Sequence, residues 1–172
     1  MPTVIIRPDA SSASSGFDQS GSNLASRISD DDTSTFVINT SSTSNFTVSF
    51  NNSDVYSGAT INNVVVSVIG NTAGKASSCQ LEIQLKNAAE TTLQTTILDF
   101  GTTESTESTA EYSTDLTPSV VEGLNLAVTP DTSGITIKEV FITVDYTAAA
   151  VTTPYIGMKS GKYKIVSGKI KI

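Results

Sequence analysis

The sequence predicts an all-β protein, an antiparallel and jelly-roll-like β-sandwich, and three observations predict it. Apolar and polar residues alternate with a period of two through most of the 172 residues. Turn signals such as NNSD, GNTAG, KNAAE and TPDTSG separate about nine short candidate strands. Helical periodicity does not extend over as many as about ten residues anywhere in the chain. Strands of this kind bury one face in a core and leave the other in water, as antiparallel sheets do.

The clearest predicted strand is CQLEIQLK, which runs from Cys79 to Lys86. The residues that share its apolar face are Cys79, Leu81, Ile83 and Leu85. NFTVSF and LNLAVT show the same alternation. Six further strands are predicted. With NFTVSF and LNLAVT included, the predicted strands other than Cys79–Lys86 are, in chain order, Thr3–Arg7, Thr35–Ile38, Asn45–Phe50, Ile61–Ile69, Leu93–Phe100, Ala110–Thr114, Leu124–Thr129 and Ile135–Tyr146.

The strand Ile135–Tyr146 contains a change of parity. The alternation that ends at Ile137 is out of phase with the one that starts at Val140, and the change falls at Lys138-Glu139. A β-bulge at this point keeps one continuous inward face. The alternative is a strand buried on both faces, which its charged residues disfavour.

Serine and threonine make up 50 of the 172 residues. This composition suits pleated surfaces and turns, and disorder is the alternative that fits Ser11–Ser15 and Thr102–Thr109. Helix is expected only as a single turn in SNLASRI, capped by Ser22 or Asn23.

Charge divides the chain into a sandwich domain (1–146), a linker (147–154) and a basic tail (155–172). Residues 1–154 hold all 17 acids and five basic residues, a charge of −12. The tail holds five lysines and no acid. The acidic domain argues against nucleic-acid binding, and no apolar run approaches the roughly 20 residues that cross a membrane.

The sequence lacks the residue types that most catalytic mechanisms require. Histidine is absent, which removes imidazole acid–base catalysis and imidazole metal ligands. Cys79 is the single cysteine and alternates with apolar neighbours, so we interpret it as a core residue. We therefore expect a protein that is not an enzyme and has no cofactor.

The densest polar cluster is SDDDTSTFV. Asp30, Asp31 and Asp32, with Thr33, are candidate Ca²⁺ ligands, although their spacing differs from that of an EF-hand. The alternative is a solvated turn that opens the next strand.

Sugar-binding sandwiches use exposed aromatic side chains, and this chain has no tryptophan. The candidates are Tyr56, Tyr112 and Tyr155. The interpretation that we favour is that each tyrosine covers the core and keeps its hydroxyl group in water.

The sequence of the tail predicts a three-strand meander of Tyr155–Lys159, Lys162–Val166 and Lys169–Ile172. Such a meander is marginal alone and has to dock, either on its own sandwich or on an acidic partner, which includes another copy of the chain. Its candidate contact residues are Tyr155, Lys159, Lys162, Tyr163, Lys164, Ile165, Lys169, Ile170, Lys171 and Ile172.

Four segments, in chain order, carry a resemblance to known proteins: VIIRPDA, LASRISDDDTSTFV, SGATINNVVVSVIGNTAG and SVVEGLNLAVTPDTSGITIKEVFITVDY. Over residues 3–146 this order resembles the β-sandwich virion proteins of tailed phages. In these proteins an Arg-Pro strand leads to an acid-rich turn, and an alternating strand closes the domain. The tail, with its YIG and repeated glycines, looks like a particle-attachment segment.

The resemblance implies a structural protein on the surface of a phage particle, with decoration or cementing of the capsid shell as the first choice. It implies a homo-oligomer, a trimer, and contact with other virion proteins such as the major capsid protein. The alternative is a glycan- or receptor-binding module of a tail or neck fibre or of a bacterial surface protein.

Overall fold

Two antiparallel sheets pack face to face in the computed structural model of the chain. The structure describes residues 2–13, 17–18, 24–29, 35–40, 45–50, 58–72, 78–148, 165–166 and 169–170. Every described strand pairing is antiparallel, so the all-β sandwich predicted from the alternation is confirmed.

One sheet has six strands. They are β1 (Thr3–Ile6), β3 (Phe17–Asp18), β4 (Val37–Asn39), β6 (Thr60–Thr72), β9 (Ser105–Ser108) and β11 (Ile135–Thr147). Their order across the sheet is β3-β4-β11-β6-β9, and β1 also pairs with β11. The two long strands, β6 and β11, are neighbours and pair along almost their whole length.

The other sheet has five strands. They are β2 (Ala10–Ala13), β5 (Phe46–Phe50), β7 (Ser78–Lys86), β8 (Thr92–Gly101) and β10 (Leu124–Pro130). Their order across the sheet is β2-β5-β10-β7-β8. Successive strands of the chain often lie in different sheets, as in β5, β6 and β7, which gives the crossing connections of a jelly roll.

The core lies between the two sheets and is built by the alternating inward residues. β5 contributes Phe46 and Phe50, and β8 contributes Phe100, all almost fully buried. The six-stranded sheet faces them with valine and isoleucine from β6 and β11. Gly70 of β6 lies opposite Phe100, and a Cβ there would approach the carbonyl oxygen of Thr136 to 2.7 Å. The glycine therefore lets two strands and a ring pack closely.

The predicted bulge in β11 is confirmed. The pairing of β11 with β6 shifts register between Ile137 and Glu139, so Lys138 is the extra residue. Lys138 forms an ion pair with Glu104, and the inward face continues beyond it with Val140.

Two short helices join the strands. Helix α1 (Leu24–Ile28) lies where the sequence predicted one helical turn and buries both of its end residues. Helix α2 (Pro118–Glu122) was not predicted. Thr117 caps it by accepting a hydrogen bond of 3.2 Å from the Val120 N–H, and proline occupies its first turn. No helix within the described ranges is long enough or apolar enough to span a bilayer.

The predicted strand Ala110–Thr114 is wrong. Tyr112 forms only an isolated bridge with Val64, and the strand in this region is β9. β9 and β2 fall in segments for which disorder was the alternative, so this alternative is wrong for the described part of each. Both are polar strands whose ladder partners, β6 and β5, supply the hydrogen bonds.

In the tail, β12 (Ile165–Val166) and β13 (Lys169–Ile170) pair antiparallel, with Ile165 opposite Ile170. These strands fall inside two of the three predicted tail strands. The third, Tyr155–Lys159, lies outside the described residues, and the division of the chain at 146 and 154 stays a prediction.

Candidate functional site

The outer face of the five-stranded sheet is a polar platform. Alternation places its residues there, because their neighbours in β5, β7 and β10 are buried. Register sets them in rows across the sheet: Thr129 and Ile97 flank Glu82, and Ala127 and Thr95 flank Gln84. The described platform residues are Thr47, Ser49, Gln80, Glu82, Gln84, Lys86, Thr95, Ile97, Asp99, Asn125, Ala127 and Thr129.

A shallow cleft of about 200 Å³ opens at one end of the platform. Ile97 lies in it with 55% of its surface exposed, although it is a large apolar residue. The cleft thus combines an apolar floor with carboxylate, amide and hydroxyl groups. Its lining residues are Gln80, Glu82, Ile97, Thr129, Pro130 and Asp131.

Hydrogen bonds between neighbours fix the polar side chains of the platform. The Gln80 amide donates to the Asp99 carboxylate at 2.7 Å, and the Gln84 amide donates to the Glu82 carboxylate at 2.6 Å. Each carboxylate keeps acceptor capacity for a further donor, since it has two oxygens and about four lone-pair sites. The platform is therefore an ordered set of acceptors with amide groups beside them.

Asp131 closes the cleft beyond the end of β10. Its carboxylate accepts a hydrogen bond of 2.9 Å from the Gln80 N–H, and its own N–H donates to the Gln80 carbonyl at 2.9 Å. Cys79 precedes Gln80 in β7 and is buried, and its Sγ lies 3.4 Å from the Asp131 carboxylate. Burial, and then the hydrogen bond to Asp131 and its negative charge, raise the pKa of the Cys79 thiol from 9.0 to about 12. The thiol is therefore a neutral core group, which agrees with the interpretation from the sequence.

Asn39, a fully buried residue of β4, holds the loop that follows Asp131. Its amide donates to the Thr132 carbonyl at 2.7 Å, and its Oδ1 accepts from the Ile135 N–H at 2.7 Å. Its backbone carbonyl accepts from the Gly134 N–H at 2.9 Å. Three hydrogen bonds to one residue of the other sheet thus position the wall of the cleft.

The tight turn between β7 and β8 lies at the opposite end of the platform. The Asn87 side-chain oxygen accepts from the Ala89 and Thr91 N–H groups, both at 3.0 Å. Glu90 adopts a positive φ of 59° in this turn and accepts from the Asn125 amide at 3.0 Å. The turn therefore fixes a fourth carboxylate beside the platform.

Most of the site residues predicted from the sequence lie outside the described residues. These are Asp30, Asp31 and Asp32, Tyr56 and Tyr155, and the side chains of the tail. Among the described residues, no three His, Cys, Asp or Glu side chains are grouped as a metal site would need. Tyr112 lies within the described residues and is partly buried against the core. This agrees with the interpretation that the tyrosines cover the core.

The cleft was not predicted from the sequence. The sequence indicated part of it, because the alternation in CQLEIQLK predicted that Gln80, Glu82 and Gln84 lie on the solvent-facing side of the strand. No feature of the sequence showed that Ile97 and Asp131 lie beside them, because both contacts depend on strand register and on a distant loop.

No protein-family model and no curated protein matches the sequence. Solved structures do match its fold. The CBM22-1 xylan-binding domain of Xyn10C from Paenibacillus barcinonensis superposes with a TM-score of 0.51 at 10% identity, covering 84% of this chain and 95% of that domain. This likeness supports the β-sandwich fold.

Two further structures match with lower scores. The C-terminal CBM6 of LamC, a marine laminarinase from Zobellia galactanivorans, has a TM-score of 0.45 and 12% identity, covering 83% of this chain and 98% of that one. The CBM22-1–GH10 modules of xylanase Xyn10B from Clostridium thermocellum, complexed with xylohexaose, have a TM-score of 0.41 and 16% identity, covering 66% and 22%.

Proposed function

We propose that the chain is a non-catalytic glycan-binding module that holds a neutral polysaccharide on the platform of its five-stranded sheet. The observation that carries the proposal is the cleft, in which carboxylate and amide groups surround the exposed Ile97. Sugars present hydroxyl groups beside apolar C–H faces, and this arrangement offers a contact for each. The Paenibacillus domain binds xylan, so xylan is the first ligand to test.

Charge selects the class of glycan. Glu82 and Asp131 place two carboxylates in the cleft, and Asp99, which accepts from Gln80, adds a third on the platform beside it. The described platform has one cation, Lys86, whose Nζ lies 3.8 Å from Oε2 of Glu90. An acidic polysaccharide would bring like charges together in this cleft, whereas a neutral one donates its hydroxyl protons to the same oxygens. The expected ligand is therefore a neutral polysaccharide.

The environment of the carboxylates favours binding over cleavage. A glycosidase keeps one carboxylic acid protonated by enclosing it, and places a second across the scissile bond. Here Glu82, Asp99 and Asp131 are exposed, and each accepts a hydrogen bond from its own sheet. Such groups are suited to hold hydroxyl groups.

Affinity electrophoresis and calorimetry with xylan, xylohexaose and polygalacturonate test the proposal. The chain offers a matched pair of variants, Ile97→Ala and Ile5→Ala, because these isoleucines are 55% and 51% exposed on the outer faces of opposite sheets. We expect binding of a neutral glycan, a loss of at least about fivefold in affinity for Ile97→Ala, and no change for Ile5→Ala.

Glu82→Gln and Glu107→Gln form a second pair, which removes one charge on the platform or on β9 of the other sheet. We expect only the first to weaken binding. An absence of binding to every neutral glycan in a wider array would overturn the proposed function. Equal losses for both isoleucine variants would overturn the location of the site.

The structural role in a phage particle stays a prediction from the resemblance, as do the trimer and the virion surface as its location. Its test is the mass in solution by light scattering of the full chain and of a chain ending at Thr153, at low and high salt. A stable oligomer that dissociates without the tail would favour this role over glycan binding, and dissociation in salt would assign the contact to the lysines.

A further inference from the structure

The outer face of the six-stranded sheet carries a row of apolar side chains. Ile5 of β1 is 51% exposed, and Val65, Ile69 and Phe141 are partly exposed. All four point away from the core, because the residues that alternate with them are buried. We call these four residues the apolar row.

Strand register makes the row continuous. Thr143 lies between Ile5 and Val65 in one line across the sheet. Phe141 is two residues further along β11, opposite Ser67. It is therefore a diagonal neighbour of Ile5, Val65 and Ile69 and joins them past the polar Thr143. The row therefore runs from the edge strand to the centre of the sheet.

A polar rim borders the row. Glu139 lies opposite Ile69 and is bound by Arg7, whose Nε and Nη2 both lie 2.9 Å from its Oε1. Asp145 lies two residues beyond Thr143, opposite Thr3. A contiguous apolar patch with a polar border is the arrangement of a docking surface.

We propose that the C-terminal tail of the same molecule covers the apolar row with the isoleucine face of its β12–β13 hairpin. The register pairs Ile165 with Ile170 in this hairpin, and residues directly opposite each other in two paired strands belong to the same face of the pair. A two-stranded hairpin is marginal in water alone and gains stability when that face is buried. The lysines that alternate with these isoleucines would then face the solvent over the docked hairpin.

Chain connectivity favours the molecule's own tail over that of a second copy. The described part of β11 ends at Thr147, four residues beyond Thr143, or about 14 Å at the usual rise of a strand. The segment between Thr147 and Ile165 is long enough to span this distance several times. A covalent connection of this length gives the tail an effective concentration of about a millimolar, above that of a second molecule in dilute solution.

Charge also favours the tail over the bare sheet of another copy. Residues 1–154 carry −12, so two such faces repel each other, whereas the tail carries +5. The lysines of a docked tail would also keep the edge strand β1 from pairing with other chains. This inference is independent of the glycan site, which lies on the other sheet.

Disulfide cross-linking of the full chain tests the proposal. One double variant carries Ile5→Cys and Ile170→Cys, and its control carries Ile97→Cys and Ile170→Cys. The native Cys79 is 1% exposed and stays outside the reaction. After mild oxidation at low micromolar concentration, we expect monomeric cross-linked protein in the first variant with at least about tenfold the yield of the control. Equal yields, or cross-links mainly between molecules, would overturn the proposal.

Binding of the neutral dye Nile red provides a second measurement that needs no cross-link geometry. Ile165→Ser with Ile170→Ser removes two apolar side chains from the tail of the full chain. If the tail is docked, this variant uncovers the apolar row and dye fluorescence rises several-fold. If the tail is undocked, the variant has less apolar surface, so fluorescence falls or stays unchanged, and the proposal fails.

Discussion

The side chain of Asn39 accepts a hydrogen bond of 2.7 Å from the backbone N–H of Ile135, a residue 96 positions away in the sequence. Both groups are buried, and the other end of the amide donates to Thr132. One side chain thus satisfies the backbone at the point where β11 begins and positions the loop beside the cleft. The stability of the sandwich and the shape of the candidate site are linked through this residue.

The first prediction is that Asn39→Ala destabilises the protein by about 2–4 kcal/mol, since it leaves the buried N–H of Ile135 without a partner. Urea unfolding monitored by circular dichroism measures the change. Thr103→Ala, at an exposed position between β8 and β9, is the control and should change stability by less than about 0.5 kcal/mol. If the two variants were equally stable, the hydrogen bonds of Asn39 would not hold the loop.

The second prediction concerns Gly70, where any side chain must displace backbone. Gly70→Ala brings its Cβ to 2.7 Å from the Thr136 carbonyl oxygen, so we expect a loss of about 1–3 kcal/mol. Gly101→Ala is the matched control, because a Cβ at this strand position meets nothing within 4 Å. Thermal unfolding of both variants makes the comparison. Gly70→Ala as stable as the wild type would mean that β6 and β11 adjust without cost.

The third prediction concerns the ion pair of Arg7 and Glu139. The Glu139 side chain is 5% exposed, so Arg7→Met leaves a buried carboxylate unpaired and should cost about 3 kcal/mol. Replacing both residues, Arg7→Met with Glu139→Leu, should restore stability to within about 1 kcal/mol of the wild type.

Lys86→Met is the control for the ion pair, because Glu90, its partner, is 61% exposed. The loss of that exposed pair should cost less than about 0.5 kcal/mol. A double-mutant cycle measured by urea unfolding provides the test. A double variant no more stable than Arg7→Met would show that the arginine acts through packing, not through its charge.

Much of the fold could be predicted because alternation is a local property. Cys79–Lys86 and the bulge at Lys138 were read directly from the parity of apolar residues, and the structure confirms both. Ser105–Ser108 could not be read in this way. It has no apolar alternation, and it is a strand because β6 supplies a ladder for it. Its structure depends on a partner distant in sequence.

The candidate site could be predicted only in part, for the same reason. The wet face of β7 follows from alternation, but Ile97 joins Glu82 through pairing with β8. Asp131 joins them through a loop that Asn39 holds from the other sheet. Register and loop closure are tertiary properties, so a single sequence carries the residues of the cleft without showing that they meet.

The last prediction follows from the raised pKa of Cys79. Well below pH 9.0 the thiol is neutral in both the folded and the unfolded chain, so it gives stability no pH dependence. Between 9.0 and about 12 the unfolded chain releases the proton while the folded chain keeps it, so stability falls as pH rises. At pH 10 this contribution is a loss of about 1 kcal/mol for the single thiol.

Urea unfolding at pH 8 and pH 10, for the wild type and for Cys79→Ala, isolates this contribution from those of lysine and tyrosine. The alanine variant starts less stable because it leaves a cavity, but it should lose about 1 kcal/mol less between the two values of pH. In the folded wild type at pH 8, a thiol reagent should react with Cys79 far more slowly than after unfolding, because the neutral, buried thiol is a poor nucleophile. Identical pH dependence in both proteins, or fast labelling of the folded chain, would show that the thiol ionises in the native state.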